Sequence, residues 1–241
     1  MGQMHATPLR LVLFDLDDTL CDYAGARAAR LGIAFGQALA TVQVRAHRAT
    51  GALGGAPDPA ALIAASIAIH PHGADHFADL LRPYGVAADG AALASAWYRA
   101  NRFHGLQLFP DAVATLEAVR AALPSARIGV ITNGPAEVQR AKLELLEIVP
   151  LLDFVLISGE FGVEKPDPAI FQEALRRGNA APHEAVFIGD SPDHDIAGAR
   201  AAGIRAVWIN RTGRPWSHPD PPPEDEVRDL AAFLALLSAE C

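Results

Sequence analysis

Residues 11–20 read LVLFDLDDTL. Leu11, Val12, Leu13 and Phe14 form an unbroken apolar run, the pattern of a strand covered on both faces. The run ends in Asp15, Asp17 and Asp18, followed by Thr19. Acids clustered where a chain leaves a sheet repel one another, and a hard divalent cation is the simplest way to offset them. Aspartates also follow strands because they start turns and cap helices. The spacing of Asp15 and Asp17 suits a further role. They flank a single residue, so both can turn toward one pocket, one as a nucleophile and the other as a general acid/base.

Downstream, helix and strand patterns alternate. Asp111 to Ala122 has helical spacing, with Val113, Leu116, Val119 and Leu123 on one face. Residues 127–132 read as a strand, and Asn133-Gly134-Pro135 as a turn into a helix that runs to about Leu146. Strands at 154–158, 185–190 and 205–209 alternate with helices at 168–177, stopped by Gly178-Asn179, and 193–202, stopped by Gly203. This order predicts an α/β fold, a doubly wound parallel sheet with right-handed crossovers and helices on both faces. Residues 22–105 differ. They are rich in alanine and carry helical patterns near 24–48, 58–69, 74–82 and 88–101, with a loop over Gly51 to Pro59 and no strand. The chain therefore reads as a core of 1–21 and 106–241 interrupted by a helical insert, 22–105. Residues 211–226, RTGRPWSHPDPPPEDE, read as a Pro-rich acidic loop and 227–238 as a closing helix.

Composition narrows the class. The 241 residues are 51% hydrophobic and 20% charged, enough for one large domain or a core with a smaller insert. A net charge of −8 without any Lys/Arg-rich run argues against a nucleic-acid polymer as partner. Two cysteines, Cys21 and Cys241, make neither a disulfide framework nor a zinc-ligand set, which fits a reducing compartment. The opening MGQMHATPLR lacks the apolar stretch of a signal peptide, and Ala6 stands where a myristoylation pattern wants Ser or Thr. No run approaches membrane-spanning length. A cytoplasmic protein is the expectation. The only lysines are Lys142 and Lys165, which makes each worth a question.

In a doubly wound sheet, ligands gather at the carboxyl ends of the strands. The first strand ends at Asp15 and Asp17, and the next at Thr132-Asn133-Gly134. A third ends at Ser158, with Lys165 seven residues on. A fourth ends at Gly189-Asp190, with Asp195 opening the following helix. A nucleophilic carboxylate, a hydroxyl beside free backbone amides, a lysine and further acids on one sheet edge are what phosphoryl transfer through an aspartyl-phosphate needs.

DLDDT at 15–19, ITN at 131–133, EKP at 164–166 and GDSPDHD at 189–195 resemble, in order and spacing, the four motifs of the haloacid dehalogenase superfamily. The likeness covers nearly the whole chain, and the insert resembles that family's helical cap of the first type. ITNGPAEVQRAKLE followed by ISGEFGVEKP looks most like the branch of small nucleotidases and acylneuraminate phosphatases. The resemblance implies roles. Asp15 attacks phosphorus, and Asp17 protonates the leaving oxygen and then activates water. Mg²⁺ binds through the Asp15 carboxylate, the Asp17 backbone carbonyl and Asp190. Thr132, Asn133 and nearby amides hold phosphoryl oxygens, Lys165 neutralises charge, and Asp195 orients Lys165 or a metal-bound water. Asp18, where many relatives carry Gly, shapes the turn. Cys21 reads as inert, and Asp193 and His194 as surface residues.

The superfamily runs several reactions. Relatives that dehalogenate haloacids lack the second aspartate, so Asp17 argues against that chemistry. Phosphonoacetaldehyde hydrolysis uses a cap lysine, and 22–105 contains none. Phosphomonoester hydrolysis of a small metabolite, such as a nucleotide or sugar phosphate, is the reading that follows, with a phosphomutase as the alternative and a non-catalytic phosphate binder behind it. In the insert, His70, His72, His76, Tyr84, Trp97, Tyr98 and Arg99 are substrate candidates, with Arg102 and His104 foremost. Trp216 and its loop could close the site or bind a partner.

Overall fold

A computed structural model describes residues 8–49, 58–70 and 73–238. Six strands form one sheet: β1 (Leu11–Phe14), β2 (Arg127–Thr132), β3 (Phe154–Ile157), β4 (Ala185–Gly189), β5 (Arg205–Ile209) and β6 (Asp225–Val227). The order is β3-β2-β1-β4-β5-β6, and every neighbouring pair is parallel. The chain steps outward from β1 to β3 on one side and from β4 to β6 on the other. The direction reverses between β1 and β4, the kind of switch point at which doubly wound sheets bind ligands. All four β1 side chains are fully buried, each contributing roughly 1.5–3 kcal/mol of apolar burial.

The chain divides into two compact units, Met1–Asp22 with Gln107–Cys241, and Tyr23–Leu106. The second unit is helical, with α1 (Tyr23–Ala49), α2 (Pro59–Ile69), α3 (Phe77–Leu81) and α4 (Ala88–Ala100), and no strand among its described residues. Leu31, Phe35, Leu62, Phe77, Leu81 and Tyr98 belong to its core. Asp58 caps α2 by accepting the Ala60 N–H at 3.0 Å, and Pro59 takes the first helical position, where a missing N–H costs nothing. Most of the stretch read as a loop before it, 51–57, lies outside the described residues.

The first unit adds α5 (Ala112–Ala122), α6 (Ala136–Leu145), α7 (Ser158–Phe161), α8 (Pro168–Gly178), α9 (Ala197–Ala201) and α10 (Leu230–Ser238). Helix α8 follows its sequence closely. Asp167 accepts the Ala169 N–H at 2.9 Å, Pro168 opens the helix, and Asn179 closes it at φ 50°.

Five expectations need correction. The Pro-rich stretch is not loop throughout: its end enters β6, where Arg205 pairs with Asp225 at 2.8 Å and Asn210 N–H reaches Val227 O at 2.8 Å. A three-residue strand holding two acids has no apolar run to reveal it, and α10 starts at Leu230 instead of 227. The segment 193–202 opens with a wide π-type turn, Pro192–Ile196, before α9. Ser191 O accepts N–H groups from both Asp195 and Ile196. Ser158 belongs to the short helix α7, not to β3. On α5 the buried face is Ala112, Thr115, Leu116 and Val119, whereas Val113 is exposed. Among the described residues, no helix is long and apolar enough to cross a membrane.

Candidate active site

Asp15 is the first residue past β1, and its N–H still donates to Ile188 O at 2.9 Å. That bond extends the ladder one step and fixes the carboxylate at the edge of the sheet. The register sets Phe14 level with Val130 on β2 and Ile188 on β4. The next positions, near Thr132 and Asp190, therefore share that edge.

Lys165 joins the acids. Its Nζ lies 2.6 Å from Asp15 Oδ1, 2.6 Å from Asp195 Oδ1 and 3.0 Å from Ile131 O. An ammonium has three N–H donors, and all three are used. The lysine backbone is held as firmly. Asn133 Nδ2 donates to Lys165 O, and Asn133 Oδ1 accepts the Lys165 N–H, both at 2.9 Å. The Asn133 side chain thus grips the Lys165 backbone.

The other Asp195 oxygen accepts the Ser191 N–H at 2.9 Å. Gly189 makes room for this carboxyl: a Cβ there would stand 2.5 Å from Asp195 Cγ, a distance real atoms do not tolerate. Asp190 is held from the β5 side. Its carbonyl accepts the Trp208 indole N–H at 2.8 Å, and its Oδ2 lies 3.1 Å from Arg214 Nη2.

The charge balance follows from burial. Desolvation pushes the Asp15 carboxyl well above the usual range; Lys165 opposes this, while Asp195, Asp190 and Asp17 add to it. Burial, Asp195 and Asp18 push Asp190 up to about 7, against Arg214 and Lys165. Burial alone would lower Lys165, but Asp15 and Asp195 outweigh it and hold the ammonium above its usual range. Carboxylate oxygens of Asp15, Asp190 and Asp195 lie within 4.8 Å of one another. Three hard oxygen donors, offset only in part by buried Lys165 and the half-exposed Arg214, fit a small divalent cation.

Asp17 faces a different set of partners. Lys142 Nζ sits 2.8 Å from its Oδ1 and 2.7 Å from its Oδ2, and Gln139 Nε2 lies 3.2 Å from Oδ2. Gln139 also donates to Asn133 O at 2.9 Å and to the buried Thr132 hydroxyl. With its oxygen serving as acceptor, the Thr132 O–H can still donate to a ligand. Neither Gln139 nor Lys142 was among the site residues expected from sequence. The available signal was polar residues, three apart, on the buried face of α6. Arg214 was hidden in a stretch read only as loop.

The remaining candidates take ordinary places. Asp18 adopts φ 62°, the left-handed region that suits Gly, and its N–H closes the turn onto Cys21 O at 2.8 Å. Cys21 is fully buried, and burial, then Asp17, pushes its thiol up, which keeps it protonated and unreactive. Cys241 lies outside the described residues. Asp193 and His194 are exposed. Trp216 packs edge-on against Trp208, with ring centroids 5.1 Å apart. In the helical unit, His76 meets Ser66 at 2.6 Å. Trp97 lies edge-on to His104, and the Arg102 carbonyl accepts a bond from buried Arg30. His72 lies outside the described residues.

Comparison with known proteins converges on one family. The model of the haloacid dehalogenase-like hydrolases matches residues 9–203. The phosphoserine phosphatase of Thermus thermophilus is 42% identical over 162 residues, 66% of this chain and 63% of that protein. The chain thus covers less than two thirds of that relative. The N-acylneuraminate-9-phosphatase of Mus musculus is 30% identical over 99% of this chain and 98% of its own length. Among solved structures, magnesium-bound YfnB from Bacillus subtilis superposes with a TM-score of 0.71 at 25% identity, covering 96% of this chain and 99% of that one. With residues 9–203 matched, a span that takes in Asp15, Thr132, Lys165 and Asp190, the chain belongs to the haloacid dehalogenase-like hydrolase family.

Proposed function

We propose that the protein is a Mg²⁺-dependent phosphomonoesterase acting on a small phosphorylated metabolite through an aspartyl-phosphate. The carrying observation is the division of labour among the acids. Asp15 is bound by Lys165 within the Asp190 and Asp195 cluster, while Asp17 has its own partners on α6. An Asp15 oxygen attacks phosphorus, and the bond from phosphorus to the ester oxygen breaks. The electron pair leaves with that oxygen, which takes a proton from Asp17. Water then gives a proton back to Asp17 as its oxygen attacks phosphorus. The bond to Asp15 breaks, releasing inorganic phosphate and restoring the carboxylate. Thr132 and the amides beside it hold phosphoryl oxygens, Lys165 offsets the gathered negative charge, and Asp195 and Asn133 keep Lys165 in place. Asp15, Asp190 and the Asp17 backbone carbonyl would hold Mg²⁺, which supplies charge screening between carboxylate and phosphate.

Asp17 also argues against haloacid dehalogenation, which has no use for a proton donor two residues past the nucleophile. Residues 22–105 would act as the cap that selects the leaving group, and the cytoplasm is the expected compartment. The test is a Mg²⁺-supported phosphatase screen over nucleotides, sugar phosphates, phosphoserine and N-acylneuraminate 9-phosphate. Phosphate release from at least one class is expected, and silence across the whole panel would sink the reading.

Cation binding should depend on pH. A proton on Asp190 competes with Mg²⁺, so affinity is expected to weaken roughly tenfold per pH unit below about 7 and level off above it. Titration calorimetry in buffers of different ionisation enthalpy would count the released proton. An affinity that stays flat across this range would show that no proton on Asp190 competes there, and unchanged affinity in Asp190→Asn would remove it as a ligand.

A further inference from the structure

We infer that Lys142 and Gln139 form a positioning device for the proton-transferring carboxylate of Asp17, and that this device ties Asp17 to the loop holding the phosphoryl group. The inference rests on the phosphomonoesterase reading but concerns residues that its chemistry does not touch.

Lys142 is one of two lysines in the chain. Its side chain is 4% exposed and reaches across 125 residues of sequence to meet both Asp17 oxygens. A lysine so deeply buried is costly to keep unless its charge is matched, and Asp17 matches it. Met or Leu would fill the same place on α6 more cheaply if only packing mattered. Gln139, one helical turn earlier, divides its amide among Asp17 Oδ2, Thr132 Oγ1 and Asn133 O. Gly134, at φ 140°, lets the turn pass close over Gln139, since a Cβ there would stand 3.3 Å from the glutamine side chain. The carboxylate is therefore gripped at both oxygens by donors on one helix. The same helix fixes the hydroxyl and the carbonyl at the end of β2.

A carboxyl that delivers a proton to a departing oxygen must be aimed to within a fraction of an ångström. Asp17 stands on a turn, with a side chain 24% exposed, and within that turn the Cys21 S–H, 3.6 Å from Oδ1, is a weak donor. Lys142 and Gln139 supply the stronger restraint. They act through Asp17, so their loss should matter in proportion to how much the leaving group needs a proton.

The test compares two esters in rapid acid-quench experiments that trap the phosphoenzyme. An alkyl phosphate leaves as a strongly basic alkoxide unless protonated, whereas p-nitrophenolate leaves unaided. In Lys142→Met, phosphoenzyme formation from the alkyl ester is expected to slow about 100-fold, and from p-nitrophenyl phosphate less than about threefold. The KM values should change little. In an Asp17→Asn background, Lys142→Met should leave the ratio between the esters unmoved. Gln139→Leu carries the same measurement with a smaller shift, and replaces Lys142→Met if that variant fails to fold. A merely structural lysine would lower both esters equally, and an unchanged ratio beside an active wild type overturns this assignment alone. A wild type inactive on both esters overturns the phosphatase reading and this inference with it.

Discussion

Asp15→Asn is expected to abolish phosphate release while leaving the fold as stable as before or more so. The two halves of this expectation have separate causes. An amide oxygen cannot form the phosphoenzyme, and loss of a covalent nucleophile costs at least about 10⁴-fold in rate. Stability runs the other way. Folding raises the Asp15 pKa, mainly through burial, so the folded chain binds this proton more tightly than the unfolded chain. The ionised carboxylate therefore costs stability, and the cost is switched on as pH rises above the ordinary carboxylate value. Asparagine removes the charge yet keeps an acceptor for Lys165. Thermal unfolding in the presence of a chelator at neutral pH should show an unchanged or higher midpoint. Near-normal turnover would refute the nucleophile assignment, and a collapse in midpoint would refute the account of the buried charge.

Lys165→Met should do the opposite: it should damage stability and rate together. It leaves Asp15 and Asp195 buried without their shared cation, and Ile131 O without its donor. Removing one partner from a buried ionic group costs about 3–5 kcal/mol. For a unit of this size that corresponds to a midpoint lower by roughly 10 °C. The rate should fall by about 10²–10³-fold, the usual loss for a group that stabilises transition-state charge. The diagnostic variant is Lys165→Met with Asp195→Asn. The double change removes one of the stranded charges, so it should recover part of the midpoint and none of the rate. A midpoint that drops further would show that Asp195 serves something other than Lys165.

The parts of the fold legible in the sequence share one property. Strands β1 to β5 carry apolar runs because both faces are covered, and α8 carries its own start and stop in Asp167-Pro168 and Asn179. Strand β6 has neither run nor cap. It is strand because β5 offers it a ladder and Arg205 offers Asp225 a partner, and both facts belong to the tertiary structure. The site divides the same way. The acids and Lys165 sit at strand ends or in short motifs, where sequence spacing translates directly into proximity. Lys142 reaches Asp17 from another element, at a distance no local pattern encodes. Its scarcity marked it, but only the packing of α6 supplied the partner. The wide turn at Pro192–Ile196 was illegible for a related reason: one extra residue per turn leaves the polar pattern of GDSPDHD looking like an ordinary helix start.

Strand β1 is hydrogen-bonded on both sides, and the Asp15 amide closes onto Ile188 O. Amides in such a position exchange with solvent only when the whole unit opens. The Asp15 amide is therefore expected to follow the slow clock of the sheet, while Arg214, on an exposed loop, follows a faster one. Warming or mild denaturant would release the loops first. Because Arg214 braces Asp190 from that loop, the grip on a cation would slacken before the sheet that carries Asp15 opened.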